Sequence, residues 1–108
     1  DVAARLAVVP MVLEARALDV TPATVERVRA QGDESGARIL ERILDDEIRH
    51  VRCGANHFAD VAKRLDLVTA DLWKSLVSRY FRGTLKPPFN DSARLAAGLS
   101  RDLYAGVA

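Results

Sequence analysis

Apolar residues recur along this chain at the three- and four-residue spacing of α-helices, and no stretch alternates with the period of two that is typical of strands. Leu6, Val9 and Leu13 lie in the first such stretch, which predicts a helix over residues 2–17 that is buried on most sides. Pro10 lies inside this helix and should kink it, because proline has no backbone N–H to donate. The pattern therefore predicts an all-α chain.

Capping and breaking residues divide the rest of the chain into further helices. Pro22 should follow a break in the first helix and open a short second helix, which Gly32 ends. Asp33 is placed to cap a long third helix over residues 34–65. The remaining predicted elements are a fourth helix over residues 70–81, capped by Thr69, and two short helices, one after Asn90 or Asp91 and one after Ser100.

The third helix carries a carboxylate and an imidazole among its apolar residues. Glu47 and His50 are three residues apart, so they share a face with Cβ atoms about 5–6 Å apart. A metal ion would offset the cost of burying such groups, and a Glu-x-x-His helix with a Glu from another helix is a known way to hold two metals. Glu14, the only acidic residue inside the first helix, is the candidate for that further Glu. The stripe that we expect to be buried is Ile39, Ile43, Glu47, His50, Gly54, His57 or Phe58, Val61 and Leu65.

The same residues have a simpler interpretation. Glu-x-x-His occurs by chance in helix-rich proteins, so residues 45–50 could be a solvated charged surface. Glu14 could pair with Arg16 or with an arginine of the third helix. Arg16, Arg49 and Arg52 are in turn candidates to pair with Asp19 or Asp46 and orient ligands. We interpret Cys53 as a structural thiol that is at least half buried.

Composition narrows the class of protein. The 108 residues are predicted to form a single domain, and 49% hydrophobic with 29% charged residues are typical of a folded chain. A net charge of +1 argues against nucleic acid as a partner. Cys53 is the single cysteine, which excludes an intrachain disulfide and is compatible with the cytoplasm. No apolar run approaches the roughly 20 residues of a membrane span, and the missing initiator Met suggests a processed chain or a fragment.

Three blocks of the sequence are unusual enough to be specific: residues 6–22, residues 39–51 followed by Gly54 and Phe58, and residues 80–90 with Ala93 and Arg94. They resemble a bacterial ferritin-like family, the domain of unknown function DUF455, over nearly the whole chain. The resemblance implies a ferritin-like helical bundle in which a helix with one Glu and a helix with Glu-x-x-His each occur twice. This chain matches the second occurrence, so it would be the C-terminal half of the bundle plus short C-terminal helices, with the first occurrence upstream.

By the same resemblance, Glu14, Glu47 and His50 would be metal ligands of a dinuclear carboxylate site, with two iron ions expected and manganese or another divalent metal as the alternative. An oxidoreductase or oxygen-activating role on an unknown small-molecule substrate would follow. Three side chains are too few for such a site, so either a missing N-terminal half or a second copy in a homodimer must complete it. The alternatives are a non-enzymatic helical scaffold with a vestigial site and a metal-storage protein. His57 stands where tryptophan is expected, and we interpret it as a substitution on the packing face.

Overall fold

The structure, a computed structural model, describes residues 1–105 as a series of helices joined by short turns and one extended arm, residues 81–90. No strand occurs in this part of the chain, which confirms the all-α prediction. None of its helices is long and apolar enough to cross a membrane. The elements are α1 (Val2–Val8), a π-helix (Val9–Glu14), α2 (Arg16–Ala30), α3 (Glu34–Arg64), α4 (Thr69–Tyr80), α5 (Asp91–Ala96) and α6 (Arg101–Tyr104).

Pro10 is accommodated by a widened helical turn. The N–H of Ala15 donates to the carbonyl of Pro10 at 3.1 Å, a bond across five residues that is characteristic of a π-helix. The predicted helix over residues 2–17 is thus divided among α1, the π-helix and the start of α2. Since π-turns occur frequently at functional sites, the position of Glu14 at the end of this one is notable.

The predicted break before Pro22 is wrong, because Pro22 lies inside α2. A proline within a helix leaves the carbonyl four residues earlier without its usual donor, and here that carbonyl belongs to Leu18. The side-chain amide of Asn90 donates to the Leu18 carbonyl at 3.0 Å. A residue from the far end of the chain therefore supplies the hydrogen bond that Pro22 cannot make, and the helix continues.

The turn between α2 and α3 follows the prediction. Gly32 has a φ of +87°, in the region that favours glycine, and ends α2 together with Gln31. The carboxylate of Asp33 accepts a hydrogen bond from the N–H of Gly36 at 2.8 Å, which caps α3. This short turn makes α2 and α3 an antiparallel hairpin with an extensive shared surface.

The core lies where α4 packs against α1 and α3, α5 packs against α3, and α6 packs against α4 and α5. The prediction that Thr69 caps α4 is wrong by one residue, since α4 begins at Thr69 and Val68 is the capping position. Short helices follow Asn90 and Ser100 as predicted. The largest fully buried side chains are Trp73, Tyr104, Phe58, Met11, Leu18, Leu99 and Val51.

The predicted buried stripe of α3 is wrong over much of its length. Ile39 is 60% exposed, Ile43 is 52% exposed and Leu65 is 56% exposed. Helical periodicity shows where apolar residues align, but it does not show which neighbour covers them, and no described element packs over these three. The buried face of α3 shares Gly54 and Phe58 with the predicted stripe but is otherwise rotated about the helix axis. Its residues are Ala37, Val51, Gly54, Ala55, Phe58 and Ala62.

Candidate metal centre

The π-helix and α3 approach each other closely at Pro10 and Gly54. A Cβ placed on Gly54 would lie 2.4 Å from Cγ of Pro10, so no side chain larger than hydrogen fits without a shift. The π-helix leads into α2, so its chain direction is opposite to that of α3. One turn after Pro10 therefore lies beside one turn before Gly54. Those steps reach Glu14 and His50, which places the two residues at about the same level of the hairpin.

Glu47 and His50 lie together at the border between the buried and the exposed faces of α3. Oε2 of Glu47 is 3.4 Å from Nδ1 of His50, longer than a well-formed N–H···O hydrogen bond. The side chain of Glu47 is 22% exposed and that of His50 is 68% exposed. The imidazole and the carboxylate are therefore neighbours without a strong mutual bond, and both are accessible to a further ligand.

Glu14 is half-buried at the end of the π-helix. The ion pairs found within residues 1–105 do not include it, so the alternative pairing with Arg16 or with an arginine of α3 is not formed. A carboxylate at such a position is available for another partner.

The three predicted ligands do not form a complete site. Across the described part of the chain there is no group of three or more His, Cys, Asp or Glu side chains that could hold a metal ion. The structure brings Glu47 and His50 together and leaves Glu14 outside that pair. In chemical type, two carboxylates and one imidazole suit iron or manganese. In number they fit half of a dinuclear site, which usually takes four carboxylates and two histidines.

The profile of a family described as "Protein of unknown function (DUF455)" matches residues 1–105. The chain belongs to the DUF455 family. A relative from Haemophilus influenzae, described as an uncharacterized protein, is 36% identical over 101 residues, which is 94% of this chain and 35% of the relative. The chain thus spans about a third of the length of that relative. No solved structure gives a significant match.

The two other candidates on α3 of this DUF455 chain are exposed. Sγ of Cys53 lies 3.7 Å from Nδ1 of His57, and both residues face away from the core. The interpretation of Cys53 as a thiol that is at least half buried is therefore wrong, and His57 is not packed within the described part of this chain. The physical reason is that α3 buries the side carrying Val51 and Ala55, and residues 53 and 57 lie on other sides of the helix.

The arginines predicted to orient ligands divide into two groups. Nη2 of Arg49 lies 3.4 Å from Oδ1 of Asp46, so this predicted pair is confirmed as an exposed contact. Arg52 instead donates to the backbone carbonyl of Ala96 at 2.8 Å, and Arg16 bonds to a backbone carbonyl of the arm. Neither Arg16 nor Arg52 forms an ion pair with Asp19.

The partner of Asp19 is Arg94, in a buried ion pair that the sequence analysis missed. Nε and Nη2 of Arg94 donate to the two carboxylate oxygens of Asp19 at 2.9 and 2.6 Å, and both side chains are at most 3% exposed. The guanidinium carbon lies 4.8 Å from the ring centre of Phe89 and 4.6 Å from that of Tyr104. The N–H of Asn90 donates to Asp19 at 2.9 Å, so one cluster joins α2 to the arm, α5 and α6.

Tyr104 closes this cluster on the side of α6. Its hydroxyl donates a hydrogen bond to the carboxylate of Asp91. Burial, together with this bond, raises the pKa of Tyr104 to about 12. The phenol therefore stays neutral well above the pH at which an exposed tyrosine ionises. The only signal in the sequence was the position of Arg94 four residues after the capping Asn90, which does not reveal a partner 75 positions away.

Proposed function

We propose that this chain is one half of a ferritin-like helical bundle that holds a dinuclear metal centre, with Glu14, Glu47 and His50 as its ligands. The observation that carries the proposal is the Glu47–His50 pair, which stands at the rim of the buried face with its donor atoms accessible. The register set by Pro10 and Gly54 supports Glu14 as the third ligand, since it brings Glu14 to the level of His50.

Iron is the metal we expect, with manganese or another divalent ion as the alternative, because carboxylate oxygens and imidazole nitrogen suit these ions. Iron bound there would supply oxidation–reduction chemistry, including the activation of oxygen. The residues of this chain would bind and orient the metal and keep part of its surroundings free of water. The proposal extends to an oxidoreductase in the cytoplasm that acts on a small molecule.

A second layer of helices must complete the centre. The exposed apolar residues Ile39 and Ile43 lie on α3 along the side that carries His50, at spacings of four and seven residues. A second copy of the chain, placed about a two-fold axis, would cover them and bring the total to four carboxylates and two histidines. In a longer protein, such as the relative of which this chain spans about a third, an upstream segment would take that place.

Replacing Glu47 by alanine should abolish metal binding and leave the fold intact, because the residue is partly exposed and the polar side-chain contact that it forms among residues 1–105 is with His50. The measurement is elemental analysis of protein loaded with ferrous iron under nitrogen, with helicity followed by circular dichroism. Asp45→Ala is the matched control, since Asp45 is an exposed carboxylate on the same helix but on another face. Iron content unchanged in Glu47→Ala would show that Glu47 is not a ligand.

A helical scaffold without enzymatic activity is the second candidate. The observation that favours it is the lack, among residues 1–105, of a group of three side chains able to hold a metal. The scaffold predicts no bound iron under any loading condition. A metal-storage protein would bind iron but would consume oxygen without needing an organic substrate, which distinguishes it from an oxidoreductase.

A further inference from the structure

An open cavity of about 360 Å³ lies between the start of α2 and the arm, away from the Glu47–His50 pair. Its volume is in the range of about 300–1,000 Å³ that is usual for small-molecule sites. The apolar part of its lining consists of Val12, Leu13, Phe81, Leu85 and Phe89. Leu13 is 54% exposed, and both phenylalanines are only half-buried, so apolar surface remains available for contact.

Two cations, Arg16 and Lys86, stand in the lining of this cavity. Nη1 of Arg16 donates to the backbone carbonyl of Lys86 at 2.7 Å, which ties the arm to α2 and uses one of the five N–H donors of the guanidinium. The ion pairs formed within residues 1–105 include neither side chain. Their charges are therefore not neutralised by a carboxylate of the described chain.

The other charges of the cavity cancel each other. Asp19 and Arg94 also reach its wall, but they form the closed, buried ion pair and have no net charge to offer. An adjoining hollow of about 380 Å³ shares Arg16 and adds Arg27, whose Nη2 donates to Thr24. The polar end of the cavity is thus positive, and its remaining surface is mainly apolar.

We propose that this cavity binds a small amphipathic carboxylate, with the carboxylate at Arg16 and Lys86 and the apolar body against Leu13, Phe81 and Phe89. The planar guanidinium fork matches a carboxylate, and the ammonium of Lys86 adds a second positive charge. The apolar wall would bury a hydrocarbon chain or ring that water would otherwise hydrate. The proposal does not depend on the metal centre, because none of its residues is a proposed ligand.

The test is a titration of the 108-residue chain, labelled with ¹⁵N, with octanoate, 1-octanol and acetate as probes. Chemical shifts of the Gly83 and Leu85 amides report on the cavity wall. We expect saturable shifts with octanoate, and at least tenfold weaker binding of octanol, which lacks the charge, and of acetate, which lacks the apolar body. Equal binding of octanoate and octanol, or no saturable shift at either amide, would overturn the proposal.

Lys86→Met is the informative variant, because Lys86 is exposed and only its backbone carbonyl bonds to Arg16. It should weaken octanoate binding about tenfold and leave octanol binding unchanged. Lys63→Met, an exposed lysine of α3 outside the cavity, is the matched control and should change neither. Leu13→Ala should weaken both probes. Equal affinity for octanoate in the Lys86 and Lys63 variants would contradict the assignment of the carboxylate end.

Discussion

Replacing Arg94 by methionine is expected to lower the free energy of unfolding by about 3–5 kcal/mol, because it leaves a buried carboxylate without its counter-charge. The side chain of Asp19 is 1% exposed and would retain a hydrogen bond from the N–H of Asn90. Arg94 also packs between the rings of Phe89 and Tyr104, and this contact would be only partly replaced by methionine. For a domain whose total stability is about 5–15 kcal/mol, the loss is severe.

Urea denaturation followed by circular dichroism at pH 7 measures this loss. The double variant Asp19→Asn with Arg94→Met should recover part of it, because the neutral amide needs no counter-charge and its oxygen can still accept from the N–H of Asn90. Arg49→Met is the matched control, because its pair with Asp46 is exposed and should contribute less than about 1 kcal/mol. If the Arg94 and Arg49 variants lose the same amount, the buried cluster does not hold the arm and α5 to α2.

Replacing Gly54 by alanine should also destabilise the protein, by about 1–3 kcal/mol, because the added methyl group would overlap the ring of Pro10. The direction is the reverse of the usual result, since alanine inside a helix is normally favoured over glycine by roughly 0.5–1 kcal/mol. The Pro10 ring is rigid and cannot rotate away, so the two helices must separate.

Thermal or urea unfolding of a double-mutant cycle separates the overlap from other effects. Pro10→Ala removes the ring, so adding Gly54→Ala to that background should be neutral or stabilising. A Gly54→Ala protein as stable as the parent would show that the two helices do not approach this closely. The register that brings Glu14 level with His50 would then lose its support.

Much of the fold could be predicted because its signals are local. Gly32 and Asp33 mark the turn of the hairpin within a few residues, and Asn90 caps the helix directly after it. The continuous α2 could not be predicted, since Pro22 is tolerated only because Asn90 reaches the Leu18 carbonyl from 72 positions away. Local patterns carry no information about such a partner.

In the candidate site, too, local relations could be predicted from the sequence and contacts between distant segments could not. The neighbourhood of Glu47 and His50 follows from a spacing of three residues on one helix, and the structure brings the two together. The exposure of Ile39 depends on which elements pack beside α3, and periodicity does not reveal them. The role of Arg94 could not be predicted, because an ion pair between distant segments produces no pattern in the sequence. The level of Glu14 relative to His50 depends on the register of two helices, which a spacing within one helix does not reveal.

We propose that two copies of this chain together hold the metal, each giving Glu14, Glu47 and His50. Native mass spectrometry of the chain after anaerobic loading with ferrous iron measures mass, number of copies and bound metal at once. We expect a dimer with roughly two iron ions, as in dinuclear carboxylate bundles, and a metal-free species for Glu47→Ala. A folded monomer of the parent chain that carries no iron would contradict the claim.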